Sequence, residues 1–139
     1  MIRHLLLAVQ FLTRIPVTMD LSPSATDWGR SVLYFPAVGL ILGVLLAVLH
    51  GLLAGNHPAL LAALLLAVWT LATGGLHIDG LADAADAWVG GFGDRERSLE
   101  IMKDPRSGPV AVMVVVLVLL LKFAALQALL AADEGVTLA

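Results

Sequence analysis

Apolar positions in this chain fall into long unbroken runs, not the alternating or one-faced patterns of a soluble domain. Three runs approach the roughly 20 residues a helix needs to cross a bilayer. The first is about Val32–Leu53, "VLYFPAVGLILGVLLAVLHGLL"; the second about Ala59–Leu76, "ALLAALLLAVWTLATGGL"; the third about Val110–Ala132, "VAVMVVVLVLLLKFAALQALLAA". An earlier run, His4–Leu12, is too short to span. No small-residue cleavage site follows it, so it does not read as a signal peptide. It reads as an interfacial or re-entrant helix ending at "TRIP", where Pro16 disfavours helix at Ile15. Pro36 either kinks the first span or lies in its first turn. Gly39 and Gly43, four apart, mark a face suited to close helix packing. The pattern predicts an all-α polytopic membrane protein: one domain over 1–139, three transmembrane helices, the N-terminal helix, and a helical loop over 77–108.

Composition agrees with this reading. Of 139 residues, 60% are hydrophobic and only 14% charged, with mean hydropathy +0.95; a soluble domain has about 25% charged residues. The chain has no cysteine, which excludes disulfides. A net charge of −3 with no basic block argues against a nucleic-acid partner. Seven of the eight basic residues lie before the first span or between the second and third. The eighth, Lys122, is inside the third span. The positive-inside rule then puts the 77–108 loop on the cytoplasmic side. Near the bilayer midplane, Lys122 is expected to face a helix-bundle interior.

That loop carries the candidate chemistry. In "GGLHIDGLADAADAWVGGFGD", Gly74–Asp94, three aspartates stand without a basic neighbour. On a helix over Leu76–Val89, Asp83 lies about 40° to one side of Asp79 and Asp86 about 20° to the other, while His77 points away. Such carboxylates repel, and charge near a bilayer is usually functional. A divalent cation removes the penalty, and hard oxygen ligands suit Mg²⁺. The alternative is a solvated acidic first turn that complements the helix dipole. His77 by itself reads as an interfacial polar residue. Downstream, "RERSLEIMKD" is helix-like until Pro105 breaks it. Lys103 and Arg106 could hold phosphate oxygens, while Glu100 and Asp104 could complete a metal shell or orient those cations. The competing reading is an exposed helix with ordinary ion pairs. Acids for a metal beside bases for phosphate point to phosphoryl or nucleotidyl transfer. No Gly-x-x-x-x-Gly-Lys loop is present.

"FLTRIPV", "YFPAVGLILG", "GGLHIDGLADAADAWVGGFGDRERSLEIMKDPRSGPV" and "LLLKF" together resemble the cobalamin synthase family, the adenosylcobinamide-GDP ribazoletransferases, over nearly the whole chain. The resemblance implies a Mg²⁺-requiring enzyme of the bacterial cytoplasmic (inner) membrane with its acidic site facing the cytoplasm. It would join adenosylcobinamide-GDP to α-ribazole or its 5′-phosphate, releasing GMP. On the matching positions it implies Asp79, Asp83, Asp86 and Glu100 as metal ligands and Lys103, Asp104 and Arg106 as the catalytic group. Arg14, His77, Arg95 and Arg97 are the implied substrate-binding residues. Family members are longer, so "AADEGVTLA" is expected to be the loop after the third span, with further helices or a second copy completing the corrinoid site. Two other classes remain open: a lipid-acting alcohol phosphotransferase, and a non-catalytic membrane subunit or cation carrier. A carrier should place its acids on discontinuous helices at the bilayer midplane, whereas these acids sit at a span's end beside bases.

Overall fold

The computed structural model describes residues 2–17, 22–104 and 106–137. The described residues are helical or loop, with no strand among them. The chain divides into two compact units, Met1–Gly74 and Gly75–Ala139.

The first unit holds α1 (Ile2–Leu12), α2 (Ala25–Ser31), α3 (Phe35–Leu52) and α4 (Pro58–Ala72), with a 3-10 turn, Val32–Tyr34, joining α2 to α3. Helix α1 stops where Thr13 turns its hydroxyl back onto the Val9 carbonyl (2.8 Å) and accepts the Ile15 N–H (3.2 Å). Its buried Leu7 and Ala8 belong to a core that includes Ser31 and Val38. Phe11 adds an edge contact to Trp28 and a stacked contact to Phe35, both with ring centroids 5.9 Å apart.

The first apolar run begins earlier than its hydropathy suggests. Ser24 caps α2 by accepting the Asp27 N–H (3.2 Å), and Asp27 reaches back to the Ser24 N–H (3.0 Å). This reciprocal pair is a capping box, so the helical run over 25–52 is longer than the expected span. Asp27 also pairs with His4 (3.0 Å) and Arg3 (3.4 Å), tying α1 to α2. Pro36 lies in the first turn of α3, where its missing N–H costs nothing. Among the described residues, no other element comes within 4 Å of a Cβ built at Gly39 or Gly43, so the close helix packing expected there is not made among them.

The second expected span is not one unbroken helix. Helix α4 has 15 residues and ends at Ala72, because Gly74 (φ 64°) and Gly75 (φ 73°) take left-handed backbone. Helix α5 (Leu76–Gly91) then starts afresh. The described residues therefore contain two helices long and apolar enough to cross a membrane, over 25–52 and 109–132, and a third only if the broken pair counts as one.

The second unit comprises α5, α6 (Arg95–Ile101) and α7 (Pro109–Thr137). Its buried residues are small: Ala82, Ala85, Ala87, Gly91 and Ala111. At Gly90 and Gly91 a Cβ would sit 2.7 Å from Ile101 Cδ1 and 3.3 Å from the Ser98 Cα, so the glycine pair lets α6 fold back onto α5. Asp94 caps α6 by accepting the N–H groups of Glu96 (2.9 Å) and Arg97 (3.3 Å). The helix is shorter than "RERSLEIMKD": it ends at Ile101, and the break assigned to Pro105 lies outside the described residues. Helix α7 continues to Thr137, through residues 131–137 of the segment expected to form a loop; the last two residues of that segment lie outside the described residues. Lys122 is exposed on α7.

Candidate active site

Helix α5 carries all three aspartates, as their spacing predicts. Asp79 lies in its first turn and is exposed; Asp83 and Asp86 are partly buried. Among the described residues, the Asp79 and Asp83 carboxylates make no hydrogen bond or ion pair. Asp86 differs. One carboxylate oxygen accepts the Gly108 N–H, and the other accepts the Ala111 N–H at 3.0 Å. Both donors lie at the start of α7, so Asp86 joins α5 to α7 while its two neighbours stay open.

The loop between α6 and α7 supplies the basic part. Asp104 accepts three hydrogen bonds from Arg106: from its backbone N–H (3.0 Å), from Nε (3.0 Å) and from Nη2 (2.8 Å). This fork holds the Asp104 carboxyl down to about 2, chiefly through the guanidinium and then the backbone N–H, and raises Arg106 in return. Of the alternatives for Asp104, the geometry supports the one in which it orients a cation. Arg106 has five guanidinium donors, and those on Nη1 have no partner among the described residues. Asp86, Asp104 and Arg106 line one cleft of about 290 Å³, walled by Val89, Gly90, Ile101, Gly108 and Val110.

The other expected site residues are not gathered there. Lys103 is exposed in the turn after α6. Arg95, Arg97 and Glu100 are exposed on α6, and His77 on α5. Arg14 belongs to the first unit, where its N–H donates to the Ala72 carbonyl (2.9 Å). Its side chain covers Gly74 so closely that a Cβ there would lie 2.8 Å from Arg14 Cγ. Among the described residues, no group of three or more acids or histidines is arranged to hold a metal ion. The donors do fit a site completed by substrate: Asp79 and Asp83 are one turn apart, and Mg²⁺ is commonly held by one or two carboxylates plus substrate phosphates. Sequence reasoning missed two working residues, Gly108 and Asp27. The "SATD" box signalled Asp27, whereas no local pattern signalled the link from Gly108 to a carboxylate 22 residues away.

Comparison with known proteins bears on this arrangement. The profile of the family described as Cobalamin-5-phosphate synthase matches residues 4–139. The chain is 60% identical over 134 residues to an adenosylcobinamide-GDP ribazoletransferase of Pseudomonas aeruginosa (strain UCBPP-PA14), covering 96% of this chain and 55% of the relative. It is 60% identical over 132 residues to the protein of that name from Ectopseudomonas mendocina, covering 95% and 54%. The Stutzerimonas stutzeri protein of that name is 59% identical over 134 residues, covering 96% and 55%. The chain thus spans about half the length of the curated relatives it matches. No solved structure matches it. With nearly all of its residues matched by one family profile, and with the acidic helix and basic loop inside that match, the chain belongs to the Cobalamin-5-phosphate synthase family.

Proposed function

We propose that the protein carrying this sequence is a Mg²⁺-dependent adenosylcobinamide-GDP ribazoletransferase of the bacterial inner membrane, with α5 to α7 as its phosphate-handling face toward the cytoplasm. The observation that carries this reading is the Asp104–Arg106 fork in a cleft bordered by the acidic helix. It supplies an oriented cation, with two open carboxylates on the helix that borders the cleft, to a chain whose relatives are named for this transfer.

The reaction needs little covalent help from the protein. A ribose hydroxyl of α-ribazole, or of its 5′-phosphate, forms a bond to the phosphorus next to the cobinamide side. The bond from that phosphorus to the bridging oxygen breaks. GMP leaves with the electron pair, and the hydroxyl proton passes to solvent water. Catalysis of this kind is mainly positioning and charge stabilisation. Asp104 fixes the Arg106 guanidinium, leaving Nη1 to donate to a diphosphate oxygen. Lys103, exposed outside the cleft one residue before Asp104, would have to swing in on its flexible stem to add a second positive charge. Asp79 and Asp83 would hold the Mg²⁺, which supplies charge neutralisation to the diphosphate. Further residues of the longer protein, or a second copy, would complete the corrinoid-binding site.

The test is Asp83→Asn in the full-length protein carrying this sequence. GMP release should fall by about a hundredfold or more, since even residues that only support a metal ligand cost 10–100-fold, while membrane insertion is retained. Near-normal Mg²⁺-dependent GMP release by that variant would reject the assignment.

A further inference from the structure

We infer that Asp86 is a positioning residue: its carboxylate caps the start of α7 from another helix, fixing the loop that presents Arg106. The first N–H groups of a helix have no partner within it. A side-chain oxygen at the residue just before the helix usually meets them. Here that residue is Gly108, followed by Pro109 at the first helical position, and glycine has no oxygen to offer. Asp86 fills the vacancy by accepting the N–H groups of Gly108 and Ala111. The exchange is mutual. A Cβ at position 108 would lie 2.8 Å and 3.0 Å from the two Asp86 oxygens, so the carboxylate occupies space that only glycine leaves.

Arg106 and Asp104 are two and four residues before Gly108, and all three line the same cleft with Asp86. Clamping Gly108 therefore limits where the Asp104–Arg106 fork can stand. The role serves the proposed phosphate-transfer site and rests on that reading for its consequence in catalysis; the cap itself stands on backbone geometry. It divides labour along α5: Asp79 and Asp83 remain available to a cation, while both oxygens of Asp86 are committed to α7.

A double-mutant cycle separates this role from metal ligation. The set is the wild type, Asp86→Ala, Gly108→Ser and the double variant, each in detergent micelles. Three quantities are read: amide exchange at Ala111, Mn²⁺ affinity by electron paramagnetic resonance, and GMP release by the full-length protein. Asp86→Ala should speed exchange at Ala111 by about tenfold, the scale of one lost cap, and lower GMP release without weakening Mn²⁺ binding. Gly108→Ser alone should also disturb the cap, because its Cβ meets Asp86. The double variant should regain protection and most of the lost turnover, because the serine hydroxyl can cap α7 in the space the carboxylate vacates. Should Asp86→Ala fail to fold, folding of the double variant supports the cap, and failure of both overturns it. Unchanged exchange at Ala111 in Asp86→Ala, or Mn²⁺ affinity lost equally from that variant and the double, also overturns it. If the wild type binds no Mn²⁺, the proposed metal assignment fails, and the exchange data still decide the cap.

Discussion

Arg106 spends its backbone N–H, Nε and Nη2 on a single carboxylate, yet this pair adds little to stability. The two side chains are 87% and 36% exposed, and solvent screens such pairs heavily. What the fork contributes is direction, since a bidentate guanidinium cannot swing freely. Its pH dependence follows from the sign of the shift. The Asp104 carboxyl is lowered from 3.8 to about 2, so the fork is fully formed above pH 3.8 and is lost as pH falls through about 2. Carbon-13 carboxyl shifts should therefore show Asp104 titrating near 2, returning toward 3.8 in Arg106→Ala. A wild-type midpoint at the ordinary value would mean the fork does not persist in solution.

Between elements, the second unit is held by small contacts. The buried residues of α5 and its partners are alanines and a glycine, and a buried methyl contributes about 0.8 kcal/mol. One helix cap contributes about 0.5–2 kcal/mol, so the Asp86 cap ranks with one or two of these packed methyls. Close approach at the α5–α6 corner depends equally on size. A Cβ at Gly91 would lie 2.0 Å from Ser98 Oγ and 3.1 Å from Ser98 Cβ. Moving the hydroxyl relieves only the first contact. Gly91→Ala should thus cost about 1–3 kcal/mol, the usual range for overpacking, read as a lower unfolding midpoint in detergent. An unchanged midpoint would show that α6 is not seated on α5.

For the molecule as a whole, helix length and charge bear on how the chain crosses the bilayer. The runs over 25–52 and 109–132 are long enough. Helix α4, with 15 residues, covers only about 22 Å at 1.5 Å per residue, less than the roughly 30 Å hydrocarbon core. Yet seven of eight basic residues flank the apolar runs in a pattern that the positive-inside rule reads as one side, and the proposed orientation needs the chain to cross between Asn56 and Asp94. We expect cysteines introduced at those two positions to label from opposite faces, 56 outside and 94 inside. Labelling of both from the cytoplasm would make α4 a re-entrant element. The reverse orientation would remove the acidic helix from cytosolic nucleotides and end the proposed mechanism.

Hydropathy and spacing determined by themselves the helical class, the apolar runs over 32–53 and 110–132, and the single helix carrying Asp79, Asp83 and Asp86. These depend on periodicities local to the chain, and a helix of 3.6 residues per turn sets side-chain direction wherever it forms. The motif residues that suggested phosphate chemistry were legible for the same reason. Tertiary structure decided the rest. It cut the second run at Gly74 because two successive glycines adopt left-handed backbone, a choice that composition does not dictate. It gave three chemically identical aspartates different work, since only Asp86 meets orphan N–H groups of a helix that begins 23 residues later. It also set Arg106 against Asp104, while leaving Arg95, Arg97 and Glu100 on an exposed surface. The Asp86 assignment depends on which backbone groups lack partners and where glycine leaves room, and those exist only once helices distant in sequence have packed, while the break at Gly74 and the Asp104–Arg106 fork depend on backbone conformations that spacing alone does not fix.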